Sequence, residues 1–251
     1  IDFEDNFLGI EKRRWILSDN DRTPIITSKQ ASFGISYTKN KLYADITGFY
    51  KVVNGISTAN QGFYNNTQNF SSIGNYKTKG IEFLINKQTN TISTWLSYTL
   101  AENNYTFGVF NPKKFANSLD ITHSLSTAFN YNFTKNLKAS IGGILRSGRP
   151  YTKPVDGNET LQNGDKTIVN YDNPNTENLD NFFRIDVSGS YNFTFSEAIK
   201  ATIRLGFTNI TDRKNTIDSY YIVDESQENN VRRIDNYSLP FTPNLSFRVR
   251  F

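Results

Sequence analysis

The seven residues Leu245-Ser246-Phe247-Arg248-Val249-Arg250-Phe251 alternate apolar and polar side chains without a break and end on an aromatic. Successive side chains on a strand point to opposite faces, so this segment carries one apolar face and one cationic face. A soluble sheet buries the apolar face in a core. A transmembrane barrel turns it to lipid and turns Arg248 and Arg250 into a wet lumen. The same alternation recurs along most of the chain, and that recurrence favours the barrel.

Segments of roughly 11–14 residues with period two follow one another, the length of a tilted membrane strand with its overhang. Ala31, Phe33, Ile35 and Tyr37 oppose Ser32, Gly34, Ser36 and Thr38. Leu42, Ala44, Ile46, Gly48, Tyr50 and Val52 oppose Lys41, Asp45, Thr47 and Lys51. Ile81, Phe83 and Ile85 alternate with Glu82 and Asn86, and Leu84 breaks the pattern. Further segments place Leu96, Tyr98 and Leu100, then Ile121 to Tyr131, then Leu137 to Leu145, on apolar faces. The clearest pair sets Phe183, Ile185, Val187, Tyr191 and Phe193 against Arg184, Asp186 and Ser188, and Ile199, Ala201, Ile203, Leu205 and Phe207 against Lys200, Thr202 and Arg204. With the last segment this makes about nine strands, and residues 7–17 offer a weak tenth.

The intervening connections alternate in length. Short ones fall near 39–40, 88–90, 133–135 and 194–198, long ones near 54–75, 104–118, 149–180 and 213–239. Tight turns on one side and large loops on the other are what an outer-membrane barrel shows, whereas a β-sandwich has turn signals at even spacing. Within the last long connection, Ser219–Val223 and Val231–Asp235 suggest an extra hairpin.

The chain has 20 Phe, 14 Tyr and 2 Trp, which suits interfacial girdles. It has no cysteine, so disulfides, thiolate metal sites and thiol catalysis are excluded. It has no methionine and no leader-like start, so it is expected to be a piece of a longer protein. No apolar run is long enough for a helical span. The net charge of +4 is spread singly along strands, so nucleic acid is not an expected partner.

Several short motifs resemble TonB-dependent outer-membrane receptors, in that family's order and over roughly residues 30–251. They are Gly80-Ile81-Glu82-Phe83, Ser97-Tyr98-Thr99, Asp120 with His123, Arg146-Ser147-Gly148-Arg149-Pro150-Tyr151-Thr152, Arg184-Ile185-Asp186-Val187, Asn209-Ile210-Thr211-Asp212 and the aromatic Phe251. Phe49-Tyr50-Lys51 and the Pro240–Pro243 segment are most similar to receptors of the Bacteroidetes type. The resemblance implies an all-β, antiparallel transmembrane β-barrel of 22 strands, with an N-terminal plug and import of a scarce nutrient: a ferric siderophore, cobalamin, haem or an oligosaccharide. Residues 1–251 would be the C-terminal portion of that barrel, about nine or ten strands, with the plug domain outside this chain. Implied partners are outer-membrane lipid, the plug of the same parent chain, the TonB complex through the N-terminal part, and a surface lipoprotein.

No catalytic constellation, metal site or cofactor motif stands out, and neither an enzyme nor a cofactor is expected. Asp120 and His123, three apart on one strand, would face opposite ways. Asp156-Gly157-Asn158 and Asn163-Gly164-Asp165 offer oxygens for calcium, but without EF-hand spacing. The lumen- or plug-facing set is Arg184, Asp186, Lys200, Arg204, Arg248 and Arg250. A hairpin setting residue 188 opposite 204 would put Asp186 diagonal to Arg204, in a structural ladder of salt bridges or in a path for an anionic ligand. Ligand-binding candidates at the rim are Tyr105, Phe107, Phe110, Arg149, Tyr151, Tyr220 and Tyr221, which are also the residue types of a girdle. Two other readings stand beside the transporter: a small complete outer-membrane channel or adhesin, and a secreted soluble β-rich glycan-binding module. An outer-membrane protease is the enzyme option.

Overall fold

The computed structural model describes residues 2–3, 13–14, 18–19, 24–58, 72–196, 198–224 and 230–251. Nine antiparallel strands form one continuous wall: β1 (Thr27–Lys39), β2 (Leu42–Ser57), β3 (Ile73–Gln88), β4 (Ile92–Phe107), β6 (His123–Asn132), β7 (Leu137–Arg146), β8 (Phe182–Thr194), β9 (Lys200–Thr208) and β12 (Thr242–Arg250). Each pairs with the next in that order. The short β5 (Lys114–Ala116) pairs back onto β4, and β10 (Thr216–Val223) with β11 (Val231–Tyr237) forms a separate hairpin. The wall is open, with β1 and β12 at its edges. The proposed tenth strand lies outside the described residues, except Arg13–Arg14, which pairs with Asp2–Phe3 apart from the wall.

Directly paired residues share a face, so register decides whether the alternation of each strand adds up. It does, across the whole sheet. One row runs Ile35–Ile46–Phe83–Tyr98–Leu125–Leu145–Phe183. Another runs Phe129–Ile141–Val187–Phe207. The opposite face carries Ser36–Asp45, Glu82–Thr99–Ser124 and Ser140–Ser188. Leu84, out of pattern in the sequence, is on this polar face between Asp45 and Ser97.

The apolar face is bare. Phe33 is 77% exposed, Leu245 is 68% exposed, and Ile46, Ile81, Ile141 and Ile203 are exposed with them. A soluble module would have to cover such a surface at about 25 cal/mol per Å². The glycan-binding reading is overturned by this face. On β1 the outward face is apolar between Lys29 and Lys39. Those ten steps cover roughly 33 Å along the strand and, at barrel tilt, ~25 Å of height, the span of a membrane belt. At the short-turn end the belt closes with edge-on aromatic pairs, Tyr131 with Phe133 at 4.8 Å and Tyr191 with Phe193 at 4.7 Å.

Short and long connections alternate as expected, with shifted bounds. The β1–β2 turn is two residues, Asn40 and Lys41, both at positive φ, as a tight hairpin matched to strand twist requires. Strands β2, β3 and β4 are 16 residues each, longer than the sequence suggested. Their added ends invert the pattern. Outward positions become polar (Asn75, Lys77, Asn104, Thr106), while inward ones become apolar (Val53, Tyr76, Tyr105, Phe107). Above the belt the outside is wet, and the inside packs against β5 and its loop. Gly55, at φ 81°, supplies the bulge that returns Ile56 to the inner face. Ile121 and Ile199 fall just outside their strands.

The two faces of one strand should therefore tolerate charge very differently. Ile141→Arg, at the middle of the belt, is expected to destabilise the inserted barrel by about 2–4 kcal/mol, and Ser140→Arg on the inner face by less than about 1 kcal/mol. Guanidinium titration of protein folded into lipid bilayers measures both.

Candidate functional site

Among the described residues, the long connections after β4, β7 and β9 lie at one end of the wall and fold against one another. In the connection between β7 and β8, Pro150–Tyr151 pairs with Glu177–Asn178, and Thr160–Asn163 with Lys166–Val169. The Gly148 backbone runs so close to Leu179 that a Cβ would overlap its carbonyl. Hydrogen bonds then tie this connection to its neighbours. Arg149 donates to the Ser118 carbonyl at 3.2 Å and to the Ile217 carbonyl at 3.4 Å. Asn175 donates to the Ala116 carbonyl at 2.9 Å and to Ser118 Oγ at 3.2 Å. Arg149 thus joins three connections at once.

The hairpin β10–β11 has the register the sequence suggested, Ser219 opposite Asp235 and Val223 opposite Val231. That register puts Ser219, Tyr221, Arg233 and Asp235 on one face and Tyr220 on the other. Arg233 sits 2.7 Å from Asp235, donates to Ser219 Oγ at 3.0 Å and to Tyr151 Oη at 3.2 Å, and lies 4.9 Å over the Tyr151 ring. Ser219 also donates to Asp235. Tyr171 meets Tyr221 edge-on at 6.4 Å. Burial alone would raise the Asp235 carboxyl, but the Ser219 hydroxyl and the Arg233 guanidinium outweigh it and hold it below the usual carboxylate value.

Structure therefore brings Arg149, Tyr151 and Tyr221 into one rim assembly and adds Ser219, Arg233, Asp235 and Tyr171, which sequence reading passed over. The signal for three of these was the hairpin pairing itself. Tyr220 points away from the assembly. Tyr105 and Phe107 do not offer ring faces to a ligand: they are 3% and 0% exposed, in a cluster with Val53, Ile56 and Phe115, and Phe110 packs against it. Ring contacts of 5.4–6.2 Å link Tyr105, Phe107, Phe110 and Phe115. Burial, with Tyr76 adding to it, pushes the Tyr105 phenol up to about 12. These rings fold the β4–β6 connection onto the wall.

On the inner face, Arg184 and Asp186 pair with each other at 3.0 Å on the same strand. The expected salt-bridge ladder is absent among the described residues. The β8–β9 hairpin closes Thr194 on Lys200, so residue 190, not 188, lies opposite Arg204, two positions from the expected register. The shift keeps every side chain on its face but moves Asp186 out of reach of Arg204, which donates instead to Ser188 Oγ at 3.3 Å. Lys200 lies directly opposite Arg250, and Thr202 opposite Arg248. Among the described residues none of Lys200, Arg204, Arg248 and Arg250 has a carboxylate within ion-pair distance.

Asp186 has a second role. It accepts the Asn209 N–H at 2.8 Å, and Asn209, fully buried at φ 53°, donates its side chain to the Arg213 and Leu239 carbonyls. Asp212 accepts the Phe241 N–H at 2.8 Å. The Arg-Ile-Asp and Asn-Ile-Thr-Asp segments thus interlock as a latch at the strand ends. Asp120 is in the loop before β6 rather than on the strand, and accepts the Asn103 N–H at 2.7 Å. His123 faces outward and shares a 2.9 Å hydrogen bond with the Tyr98 hydroxyl. Asp156 pairs with Lys153, and the described residues hold no group of three acids or histidines placed for a metal.

Residues 25–210 match the family model described as TonB dependent receptor-like, beta-barrel. No curated protein matches the sequence. Solved structures of similar fold include three receptors or transporters. The ferric-catecholate import receptor Fiu of E. coli K12 has a TM-score of 0.60 at 12% identity, over 94% of this chain and 30% of that one. The ferric citrate transporter FecA gives 0.59 at 14%, over 89% and 31%. The ferripyoverdine receptor of the Pseudomonas aeruginosa outer membrane gives 0.56 at 14%, over 89% and 27%. The chain spans less than a third of the length of these relatives.

Because the Asp235 carboxyl is held low, its contribution to the rim is complete above the ordinary carboxylate value near 3.9 and is lost as pH falls through its lower folded value. Protection of the β10–β11 amides from hydrogen exchange, taken relative to the intrinsic rate at each pH, should therefore fall at the acid end, and Asp235→Asn should remove that pH dependence.

Proposed function

The chain belongs to the TonB-dependent receptor β-barrel family of bacterial outer membranes, and from that premise we propose that it is the C-terminal part of the barrel of an outer-membrane importer. The family is one of transporters and receptors rather than enzymes. The observation that carries the reading is the two-faced wall, apolar outward in register over nine strands, with the described long connections at one end. Nutrient would be captured at the rim formed by Arg149, Tyr151, Tyr221 and Arg233, and Tyr220 on the far hairpin face would be a second contact. Rigid tyrosines present broad amphipathic surfaces at little entropic cost, and Arg233, paired with Asp235 and stacked on Tyr151, holds that ring in place.

Ferric chelates are the favoured cargo. The similar structures are a ferripyoverdine receptor, a ferric-catecholate import receptor and a ferric citrate transporter. An anionic chelate suits a rim where Arg149 has no carboxylate within ion-pair distance among the described residues, Arg233 being balanced by Asp235. The cationic inner patch of Lys200, Arg204, Arg248 and Arg250 would face the plug of the same parent chain, whose acidic groups would supply the missing counter-charges. Release into the periplasm would follow rearrangement of that plug, driven through TonB. A Bacteroidetes-type source and a surface lipoprotein lid belong to the same proposal.

The test uses the full-length parent protein in an iron-starved host and a panel of radiolabelled ferric chelates. Uptake of at least one chelate should depend on the protein and cease when TonB is deleted. Tyr151→Ala and Tyr221→Ala should each weaken binding about tenfold, as loss of an aromatic anchor does, with unchanged barrel assembly. Uptake that persists without TonB would overturn the reading.

A further inference from the structure

We propose that the outward surface of β1–β4 is a binding site for a phosphate-bearing membrane lipid of the leaflet on the long-connection side. The proposal rests on the membrane placement of the wall, not on transport.

One row of the apolar face runs Phe33–Gly48–Ile81–Leu100. Gly48 leaves a gap in it, and a Cβ there would meet nothing nearer than 4.0 Å. That gap lies in a shallow, open groove of about 1110 Å³ walled by Phe33, Ile35, Ile46, Ile81 and Leu100. Its surface is mainly apolar, the chemistry of a site for an acyl chain rather than for a polar ligand.

The groove does not end in hydrocarbon. Its upper wall is the next outward row, Tyr50–Lys79–Glu102. Glu102 is gripped from two sides, by Lys79 at 2.8 Å and Lys114 at 3.1 Å. One row higher, Lys29 and Lys77 both pair with Val52 from opposite sides. Neither has a carboxylate within ion-pair distance among the described residues. Four lysines and one glutamate therefore share this outward patch, a surplus of positive charge where the apolar belt gives way to headgroups. A lysine at that depth reaches an anionic headgroup while its stem lies along apolar surface.

The patch is local. Over β8 and β9 the outward positions at the same edge are Phe183, Phe207 and, just before β12, Phe241. Those aromatics suit any headgroup. An acyl groove ending in a lysine cluster selects an amphiphile with a phosphate at its head.

The experiment uses the purified full-length protein in neutral detergent and two probes with identical acyl chains, diphosphoryl lipid A and its dephosphorylated form. Native mass spectrometry reads the bound lipid, and the heat-modifiable gel shift confirms a folded barrel. The phosphorylated probe should bind more tightly. Lys29→Gln with Lys77→Gln should weaken it by about fivefold per lysine removed and leave the dephosphorylated probe unaffected. Gly48→Leu, for which the backbone has room, should weaken both probes together. Equal affinity for the two probes, or unchanged binding after Gly48→Leu, would overturn the proposal. Loss of chelate uptake with these affinities intact would bear on the transport reading alone.

Discussion

Everything in this chain follows from keeping alternation in register from strand to strand. A single strand with one apolar face is ambiguous, because a core and a bilayer both accept it. Nine strands paired so that their apolar positions fall in the same rows leave no such freedom. A one-residue slip at any hairpin would turn every later side chain to the wrong face. The two-residue shift in the β8–β9 hairpin shows the rule at work: it changes which residues are opposite one another and leaves the faces untouched.

The membrane belt has edges, and the structure marks them by reversing polarity. Within the belt, backbone groups are satisfied by the ladder and side chains divide into oily and wet. Beyond it, on β2, β3 and β4, the outside meets water, and the inside becomes the place where apolar residues can be buried. Tyr105, Phe107 and Phe115 form a small dry core there. That core, the Arg149 link and the Asn209 latch tie the rim together without a disulfide. A preorganised rim would suit the proposed ligand capture, since loops ordered only on binding lose affinity to entropy.

Strand faces, connection alternation and the β10–β11 pairing were legible in the sequence, because period-two patterning and turn residues report on them directly. Strand ends were not. The reversal of polarity above the belt reads as a loss of pattern, so the last residues of β4 looked like loop, and the aromatics there looked like free rim groups. Which rim residues touch was equally hidden, since contacts between connections 209–241 and 147–181 depend on loop packing that no local period encodes. The inner cations were placed on the correct face, but their partners depended on a hairpin centre one residue away from the one expected. Arg184-Ile185-Asp186 and Asn209-Ile210-Thr211-Asp212 were visible as motifs, while their hydrogen-bonded interlock was not.

This part of the barrel has no cysteine, so with any cysteine elsewhere in the parent replaced the central claim is directly measurable. Single cysteines placed at Ser97, Ser126 and Ser188, and at their neighbours Leu96, Leu125 and Val187, can be challenged with a membrane-impermeant maleimide in the full-length protein embedded in bilayers. The inner set should label once the lumen is open to water, and the outer set should stay protected until detergent strips the lipid. Labelling of Leu96, Leu125 and Val187 positions in intact bilayers, with the serine positions protected, would contradict the account.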